Sequence, residues 1–141
     1  MDPDWIKVFL VEDHPVVRHG LKRLIETETD MRVCGEAEGV AEAFDGIRAT
    51  EPDIALIDLA LNDGSGMDLI GRVALACIDI KMIVVSTFDA AAYAPGAIQA
   101  GAMGYVNKHE AIDQIIHAIR AVLGGKHFVD NTATQPGSGL D

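Results

Sequence analysis

The apolar positions of the chain follow two periods that alternate along its length. Short runs in which most residues are apolar predict strands at 6–11, 31–37, 54–57, 82–85 and 103–106. After each run, apolar residues recur every three or four positions, which is the spacing of one helix face. This alternation is typical of a parallel sheet covered by crossover helices. We therefore predict an α/β fold in five rounds, with the alternating run at 31–37 as an edge strand.

The predicted helices differ in strength. The first is expected to begin at Pro15, because proline is favoured in the first turn of a helix. The last carries apolar residues at helical spacing from Ile112 and is stopped by Gly124. The fourth contains Pro95 and Gly96, which remove a backbone hydrogen bond and weaken helix formation. We expect the fourth helix to be short and to begin near Pro95.

Composition limits the class of protein. The 141 residues, 49% apolar and 23% charged, suffice for one domain with its own core and leave no room for a second. The formal net charge of −11 opposes direct binding to nucleic acid or to an anionic membrane. No apolar run approaches the ~20 residues of a membrane span. A cytoplasmic location is expected.

Two further features bear on compartment and domain boundaries. Cys34 and Cys77 lie in apolar or small-residue segments and are expected to be reduced core thiols, as is usual in a cytosol. The chain becomes small and polar near its end. We predict one domain over 1–128 and a polar tail or interdomain linker over 129–141.

Polar side chains follow four of the predicted strands. Glu12 and Asp13 follow the first, Asp58 the third, Ser86 the fourth and Lys108 the fifth. In an open parallel sheet, ligands bind beyond the carboxyl ends of the strands. Taken singly, each residue has a structural explanation, such as a helix cap for Asp13 or a solvated side chain for Lys108. Their joint placement predicts a functional site at this edge of the sheet.

The residue types at this edge indicate a chemistry. Three carboxylates brought together repel one another, so a cation is expected among them. Oxygen ligands favour Mg²⁺, bound by Asp13 and Asp58, with Glu12 through water and a nearby backbone carbonyl. A carboxylate can attack phosphorus while a metal ion and a lysine neutralise the phosphoryl oxygens. We predict phosphoryl transfer, with Asp58 as the nucleophile and Lys108 as the charge clamp.

The segments around these residues resemble the receiver domain of bacterial two-component response regulators. The resemblance is carried by VEDHPVVRHGL at 11–21, DIALIDL at 53–59, Ser86 and GAMGYVNK at 101–108, and it runs from about 6 to 128. DHPVVRHGL and the closing AIRAVLGG are similar to the NarL/FixJ-type subgroup, whose receivers usually precede a helix-turn-helix DNA-binding domain. Control of such a domain, absent from this chain, is the implied output.

The resemblance implies a fold and a phosphoacceptor site. The fold would be a flavodoxin-like (βα)5 sandwich of three layers, with five parallel strands in the order 2-1-3-4-5. Asp58 would accept a phosphoryl group from a sensor histidine kinase or a phosphotransfer protein, and Lys108 would bridge to the phosphoryl oxygens. Mg²⁺ would be held by Glu12, Asp13, Asp58 and the backbone carbonyl of Ala60.

The resemblance also implies a switch. In this family, the hydroxyl at the position of Ser86 moves to bond the new phosphoryl group. The aromatic side chain at the position of Tyr105 then turns inward to fill the vacated space. Phosphorylation would thereby change the surface around the fourth helix and the fifth strand.

The sequence departs from the family in the loop after Asp58 and leaves alternatives open. Leu61 and Asn62 stand where the family usually has methionine and proline, so a looser loop is expected. Phosphoaspartate hydrolases generally carry a second acid at the position of Ala60. No enzyme activity is therefore expected beyond Mg²⁺-dependent self-phosphorylation and slow autodephosphorylation. A stand-alone receiver, or a degenerate one that serves as a protein-interaction module, stays an alternative, and a homodimer is compatible with either.

Overall fold

The computed structural model describes residues 4–109 and 112–129. The strands are β1 (Ile6–Val11), β2 (Met31–Ala37), β3 (Ile54–Ile57), β4 (Ala60–Leu61), β5 (Gly64–Ser65), β6 (Lys81–Ser86), β7 (Gly104–Asn107) and β8 (Phe128–Val129). The helices are α1 (Pro15–Glu26), α2 (Val40–Thr50), α3 (Gly66–Leu75), α4 (Ala90–Ala100) and α5 (Ile115–Leu123), and a 3₁₀ turn at Ile112–Gln114 leads into α5. Nearly all of the predicted tail over 129–141 lies outside the described residues.

Six strands form one parallel sheet in the order β2-β1-β3-β6-β7-β8. The first five reproduce the predicted order 2-1-3-4-5, so the flavodoxin-like arrangement is confirmed. The predicted number of strands was one too few for this sheet. After α5 the chain turns at Gly125, whose φ is +90°, and Phe128 N donates to Met103 O at 3.0 Å. This contact adds β8 to the edge of the sheet beside β7.

Helices cover both faces of the sheet. On one face, α2, α3 and α4 pack against strand residues that include Phe9, Val11 and Ile57. On the other face, α1 and α5 pack against Leu10 and Val106. Successive residues of one strand point to opposite faces, so β1 contributes to both apolar layers, as its continuous apolar run predicted. Among the described helices, none combines the length and apolar character needed to span a bilayer.

The register of the sheet brings the carboxyl ends of the central strands together. Val11 at the end of β1 lies beside Ile57 at the end of β3. Asp58 N donates to the Val11 carbonyl at 2.9 Å, which continues this pairing past the strand end. On the other side, Ser86 at the end of β6 lies beside Asn107 at the end of β7. Residues that follow these strands therefore share one edge.

Helix α4 differs from its prediction. It begins at Ala90, so the expectation that it begins near Pro95 was wrong. Its sequence AAAYAPGAIQA is rich in alanine, the strongest helix former. Ala94 and Ala97 are buried against the sheet, whereas Pro95 is exposed. Packing and alanine propensity therefore carry the helix through the proline.

The cysteines also differ from their prediction. Both are free, but only Cys34 packs against the core, where it is partly buried. Cys77 is exposed, so the expectation of a core thiol was wrong for this residue. It lies just beyond α3 in the left-handed region, with φ +56°. The helical spacing that placed it on the buried face of α3 ends before this position.

Replacing Pro95 with alanine should stabilise α4. The substitution restores an amide that can donate to the Ala91 carbonyl and removes the steric conflict of the proline ring with that turn. Interior proline costs roughly 3 kcal/mol relative to alanine. Because Pro95 is exposed and its turn can adjust, we expect a gain of about 1–2 kcal/mol in the free energy of unfolding. Urea denaturation measures this gain.

Hydrogen exchange provides a second readout of the same change. Amides of 90–100 should exchange more slowly in Pro95→Ala than in the parent, because local opening of α4 becomes less favourable. Gln99→Ala is the matched control, since Gln99 is exposed on the same helix. It should change stability by less than about 0.5 kcal/mol. Equal exchange in the parent and in Pro95→Ala would contradict the assignment of strain to the proline.

Candidate functional site

Lys108 is the centre of a charged cluster at the carboxyl edge of the sheet. Its Nζ lies 2.7 Å from Glu12 Oε1 and 3.0 Å from Asp58 Oδ2. The backbone of Lys108 is held as well, because its N–H donates to the Ser86 carbonyl at 2.9 Å. Side-chain exposure is 11% for Lys108, 2% for Glu12 and 8% for Asp58. One ammonium group thus bridges two buried carboxylates that come from different strands.

The charges of this cluster shift one another's protonation. Burial is the largest influence on Glu12 and raises the pKa of its carboxyl group, repulsion from Asp58 adds to the rise, and contact with Lys108 partly offsets it. For Lys108, burial acts to lower the pKa, but attraction to the Glu12 and Asp58 carboxylates outweighs it, and the pKa is raised. The ammonium form of Lys108 is therefore maintained, while the cluster keeps an excess of negative charge.

Asp13 completes a group of three acids. Carboxylate oxygens of Glu12, Asp13 and Asp58 all lie within 4.8 Å of one another. The alternative role of Asp13 as the cap of α1 is not observed, because the N-cap is His14 and makes no side-chain cap bond. Instead, the His14 N–H donates to Glu12 Oε2 at 3.1 Å. The first turn of α1 thus orients Glu12, and Asp13 is left facing the other acids.

The cluster fits a hard divalent cation. Glu12 Oε1 is fully buried and, within the described residues, accepts no aligned hydrogen bond, although Lys108 Nζ is close to it. Three carboxylates with one lysine leave uncompensated negative charge in a poorly solvated position. Oxygen-only ligands at this spacing suit Mg²⁺ better than softer metals.

The loop that follows Asp58 is anchored to it. Ala60 N donates to Asp58 Oδ1 at 3.3 Å, which fixes one carboxylate oxygen while the other faces Lys108. Ala60 itself is exposed and begins the small antiparallel hairpin of β4 and β5, which was not predicted. Gly66 lies directly against the Asp58 carbonyl, where a Cβ atom would collide with the backbone. Glycine is therefore required at that position.

Ser86 and Tyr105 lie on neighbouring strands and meet at Phe88. The Ser86 hydroxyl accepts from Phe88 N at 3.0 Å, and the Tyr105 hydroxyl donates to Phe88 O at 2.9 Å. Tyr105 is fully buried, so its ring already points inward. Burial is the main cause of its raised pKa, and a hydrogen bond with Ser86 opposes that rise. Both side chains thus hold the backbone that leads into α4.

Arg18 is a site residue that the sequence analysis left without a role. Its Nη1 donates to the Glu12 carbonyl at 2.8 Å, and its guanidinium contacts Glu36 at 3.1 Å and Glu38 at 3.2 Å. It ties the first turn after β1 to the end of β2. The only signal in the sequence is an arginine one turn into a helix that follows an acidic strand end, and this pattern is too common to identify the contact.

Comparison with known proteins identifies the family. A family model described as the response regulator receiver domain matches residues 8–120. The chain belongs to this family. This match confirms the resemblance to receiver domains. Together with the relatives described next, it also confirms the NarL-type character of the motifs at 13–21 and 118–125.

Named relatives agree with this membership. The DNA-binding transcriptional activator DevR/DosR of Mycobacterium tuberculosis is 37% identical over 128 residues, which are 91% of this chain and 59% of that protein. Response regulator UvrY of Escherichia coli O6:H1 is 31% identical over 130 residues, which are 92% of this chain and 60% of that protein. The receiver-domain chain thus spans about 59% of the length of such relatives.

A solved structure agrees with the fold. The crystal structure of a two-component response regulator of the LuxR family from Aurantimonas sp. SI85-9A1 superposes with a TM-score of 0.87 at 32% identity. The match covers 93% of this chain and 94% of that chain. The receiver fold is thus supported by geometry as well as by sequence.

Mg²⁺ should stabilise the receiver domain through the three acids. At a concentration ten times its dissociation constant, a ligand that binds only the folded state adds about 1.4 kcal/mol to the free energy of unfolding. We expect this increment in the parent and little of it in Asp13→Asn. Thermal denaturation with and without Mg²⁺ measures it. Asp45→Asn, at an exposed position of α2, is the control and should keep the full increment. Equal stabilisation of the parent and Asp13→Asn would contradict the site.

Proposed function

We propose that this receiver domain accepts a phosphoryl group on Asp58 from a phosphohistidine of a sensor kinase or a phosphotransfer protein. The observation that carries this proposal is the Lys108 ammonium held between Asp58 and Glu12 at 3.0 and 2.7 Å. A nucleophilic carboxylate beside a permanent cation can receive a dianionic phosphoryl group, because the ammonium offsets part of the added negative charge. Family membership supports the same role.

The transfer is an in-line displacement at phosphorus. The Asp58 oxygen attacks the phosphorus atom, the P–N bond to the donor imidazole breaks, and its electron pair stays on the imidazole nitrogen. Lys108 neutralises one phosphoryl oxygen as the new bond forms. Glu12, Asp13, Asp58 and the Ala60 carbonyl would hold Mg²⁺. The bound ion would neutralise further negative charge on the phosphoryl oxygens.

The switch uses Ser86 and Tyr105. After transfer, the Ser86 hydroxyl releases Phe88 N and bonds a phosphoryl oxygen instead. Tyr105 keeps its hydrogen bond to Phe88 O, so the segment that leads into α4 follows the movement. A change of charge at Asp58 is thereby passed to the surface formed by α4 and β7.

The output is control of transcription through a separate DNA-binding domain. Curated relatives are named as transcriptional regulators, and this chain spans only about 59% of their length. The net charge of −11 makes direct contact with DNA by the receiver domain unfavourable. We propose that 129–141 begins the interdomain linker and that the protein acts in the cytoplasm. A homodimer is compatible with this output.

We propose no catalytic hydrolysis of the phosphoryl group on Asp58. A phosphoaspartate hydrolase needs an acid near the nucleophile to protonate the leaving group and to activate water. The position two residues after Asp58 is Ala60, which offers neither. The domain therefore keeps its phosphoryl group until slow hydrolysis or transfer removes it.

Phosphorylation can be tested by intact mass. Incubation of the purified chain with Mg²⁺ and acetyl phosphate should add one phosphoryl group, since acetate is a good leaving group. Asp58→Asn should gain none, because the amide is not a nucleophile toward phosphorus. Lys108→Met should gain the adduct at least roughly tenfold more slowly, because one charge-stabilising contact is lost from the transition state.

The same experiment separates the alternatives. Absence of the adduct from the folded, Mg²⁺-saturated parent would overturn phosphorylation as the signal and favour a degenerate receiver that works as a protein-interaction module. Asp53→Asn serves as the matched control, because Asp53 is an exposed aspartate at the start of the same strand segment. An adduct that persists in Asp58→Asn would show that another residue is the acceptor.

Tyr105→Phe tests the link from the site to α4. The substitution removes the donor to Phe88 O, which should cost roughly 0.5–1.5 kcal/mol and speed amide exchange over 88–93. The extent of phosphorylation should not change, because Tyr105 does not contact Asp58. Tyr93→Phe makes the same chemical change on an exposed side chain of α4 and is the control. Exchange that is the same in Tyr105→Phe and the parent would refute the link.

A further inference from the structure

The N-terminus of α2 is capped from a distant loop. Its N-cap residue is Gly39, which has no side chain to bond the first amides. Asp63 takes this place: its Oδ1 accepts from Val40 N at 2.6 Å, and its Oδ2 lies 3.5 Å from Ala41 N. Asp63 follows Val40 by 23 residues and lies in the turn of the β4–β5 hairpin. The helix end and the hairpin are therefore joined by a charge-assisted bond.

The fit between these two segments is tight. A Cβ atom at Gly39 would lie 2.6 Å from Asp63 Oδ1 and 2.7 Å from Asn62 Oδ1. Both distances are shorter than van der Waals contact, so a larger residue at 39 would displace these two side chains. Gly39 thus leaves the space that the Asp63 carboxylate occupies when it accepts from Val40 N.

The same hairpin leads back to the phosphoacceptor. Ala60 pairs with Ser65 across the hairpin, and Gly66 N donates to the Leu59 carbonyl at 2.9 Å. Ala60 N in turn donates to Asp58 Oδ1 at 3.3 Å. The hairpin therefore connects the N-terminus of α2, through its own backbone and these hydrogen bonds, to one oxygen of the acceptor carboxylate.

The loop after Asp58 is more ordered than its sequence led us to expect. Leu61 and Asn62 lack the preset backbone that a proline would supply. The structure has instead a paired hairpin whose tip is fixed to α2 by Asp63. The order that proline would provide through its ring is provided here by a contact between distant segments.

We infer that Asp63 is a positioning residue for phosphoryl transfer. By holding the hairpin against α2, it keeps the Ala60 amide on Asp58 Oδ1 and leaves Oδ2 with Lys108. The inference rests on the proposed function of Asp58 as acceptor. Its hydrogen-bond partners are the amides of Val40 and Ala41 on α2, so the effect of Asp63 on Asp58 passes through the hairpin.

The test compares the rates at which variants gain a phosphoryl group from acetyl phosphate at saturating Mg²⁺. Asp63→Ala should react roughly tenfold more slowly, less than the ~100-fold that a 1 Å misplacement can cost. Asp63→Asn keeps an acceptor for the Val40 amide, since asparagine caps helices as well as aspartate. It should react within roughly twofold of the parent, which constitutes a conservative rescue.

Gly39→Ala approaches the same contact from the other side. It removes no polar group, yet its Cβ should displace Asp63 and slow phosphorylation by a similar factor. Because both variants break one contact, the double variant should be little slower than either single one, which is the non-additivity of a shared interaction. If the rate reductions of the two single variants multiply in the double variant, the two residues act independently and the inference is overturned.

A stability control separates positioning from simple helix capping. Ile47 is fully buried on the face of α2 that packs into the core. Ile47→Val removes one buried methylene and should weaken the packing of the same helix without slowing phosphorylation. If Ile47→Val slows the reaction as much as Asp63→Ala at equal fraction folded, or if Asp63→Ala reacts at the parental rate, Asp63 is a structural cap only.

Hydrogen exchange supplies a readout that does not depend on the reaction. The Ala60 amide should exchange roughly tenfold faster in Asp63→Ala than in the parent and in Ile47→Val. Failure of the parent to take a phosphoryl group would refute the proposed function, and the exchange rate at Ala60 would still decide whether Asp63 orders the acceptor loop. Unchanged exchange at Ala60 would refute the link.

Discussion

The Lys108 ammonium between Glu12 and Asp58 is the contact on which the rest of the site depends. Two buried carboxylates from different strands repel each other, and without a cation between them one of them would take a proton. The three side chains meet only because β1, β3 and β7 end at the same edge of the sheet. The charge balance of the site and the order of the strands are thus one constraint. A change of charge at Asp58 consequently alters the electrostatic interactions at the ends of all three strands.

Two segments connect this contact to the helices α2 and α4, and they differ in how firmly they are held. Towards α2, the paired hairpin that follows Asp58 is joined to the start of the helix by the hydrogen bond from Val40 N to Asp63. Towards α4, the connection passes through Phe88, which is held by Ser86 and Tyr105. Helix α4 itself contains Pro95 in its interior and has no acid in its first turn. The hairpin suits a segment that must stay in place beside Asp58. The segment through Phe88 into α4 suits a surface that must change.

Much of the fold followed from local pattern. Continuous apolar runs identified β1 and β3 to the residue, because a strand covered on both faces must be apolar on both. The polar residues that follow the runs identified the edge at which the site forms. Local pattern failed at α4, where the propensity cost of Pro95 was outweighed by the packing of buried alanines. It failed at β8 as well, because a two-residue strand has no period to detect.

The sequence by itself determined the α/β class, the order of the elements and the identity of Asp58, Lys108 and their neighbours as strand-end residues. These properties depend on residues close together in the chain. Only the tertiary structure decided that Lys108 bridges Glu12 and Asp58, and that Asp63 caps α2. Such contacts join residues that are 23 positions apart for Val40 and Asp63 and 96 positions apart for Glu12 and Lys108. Their geometry depends on sheet register and on close backbone approach, and neither leaves a periodic trace in the sequence.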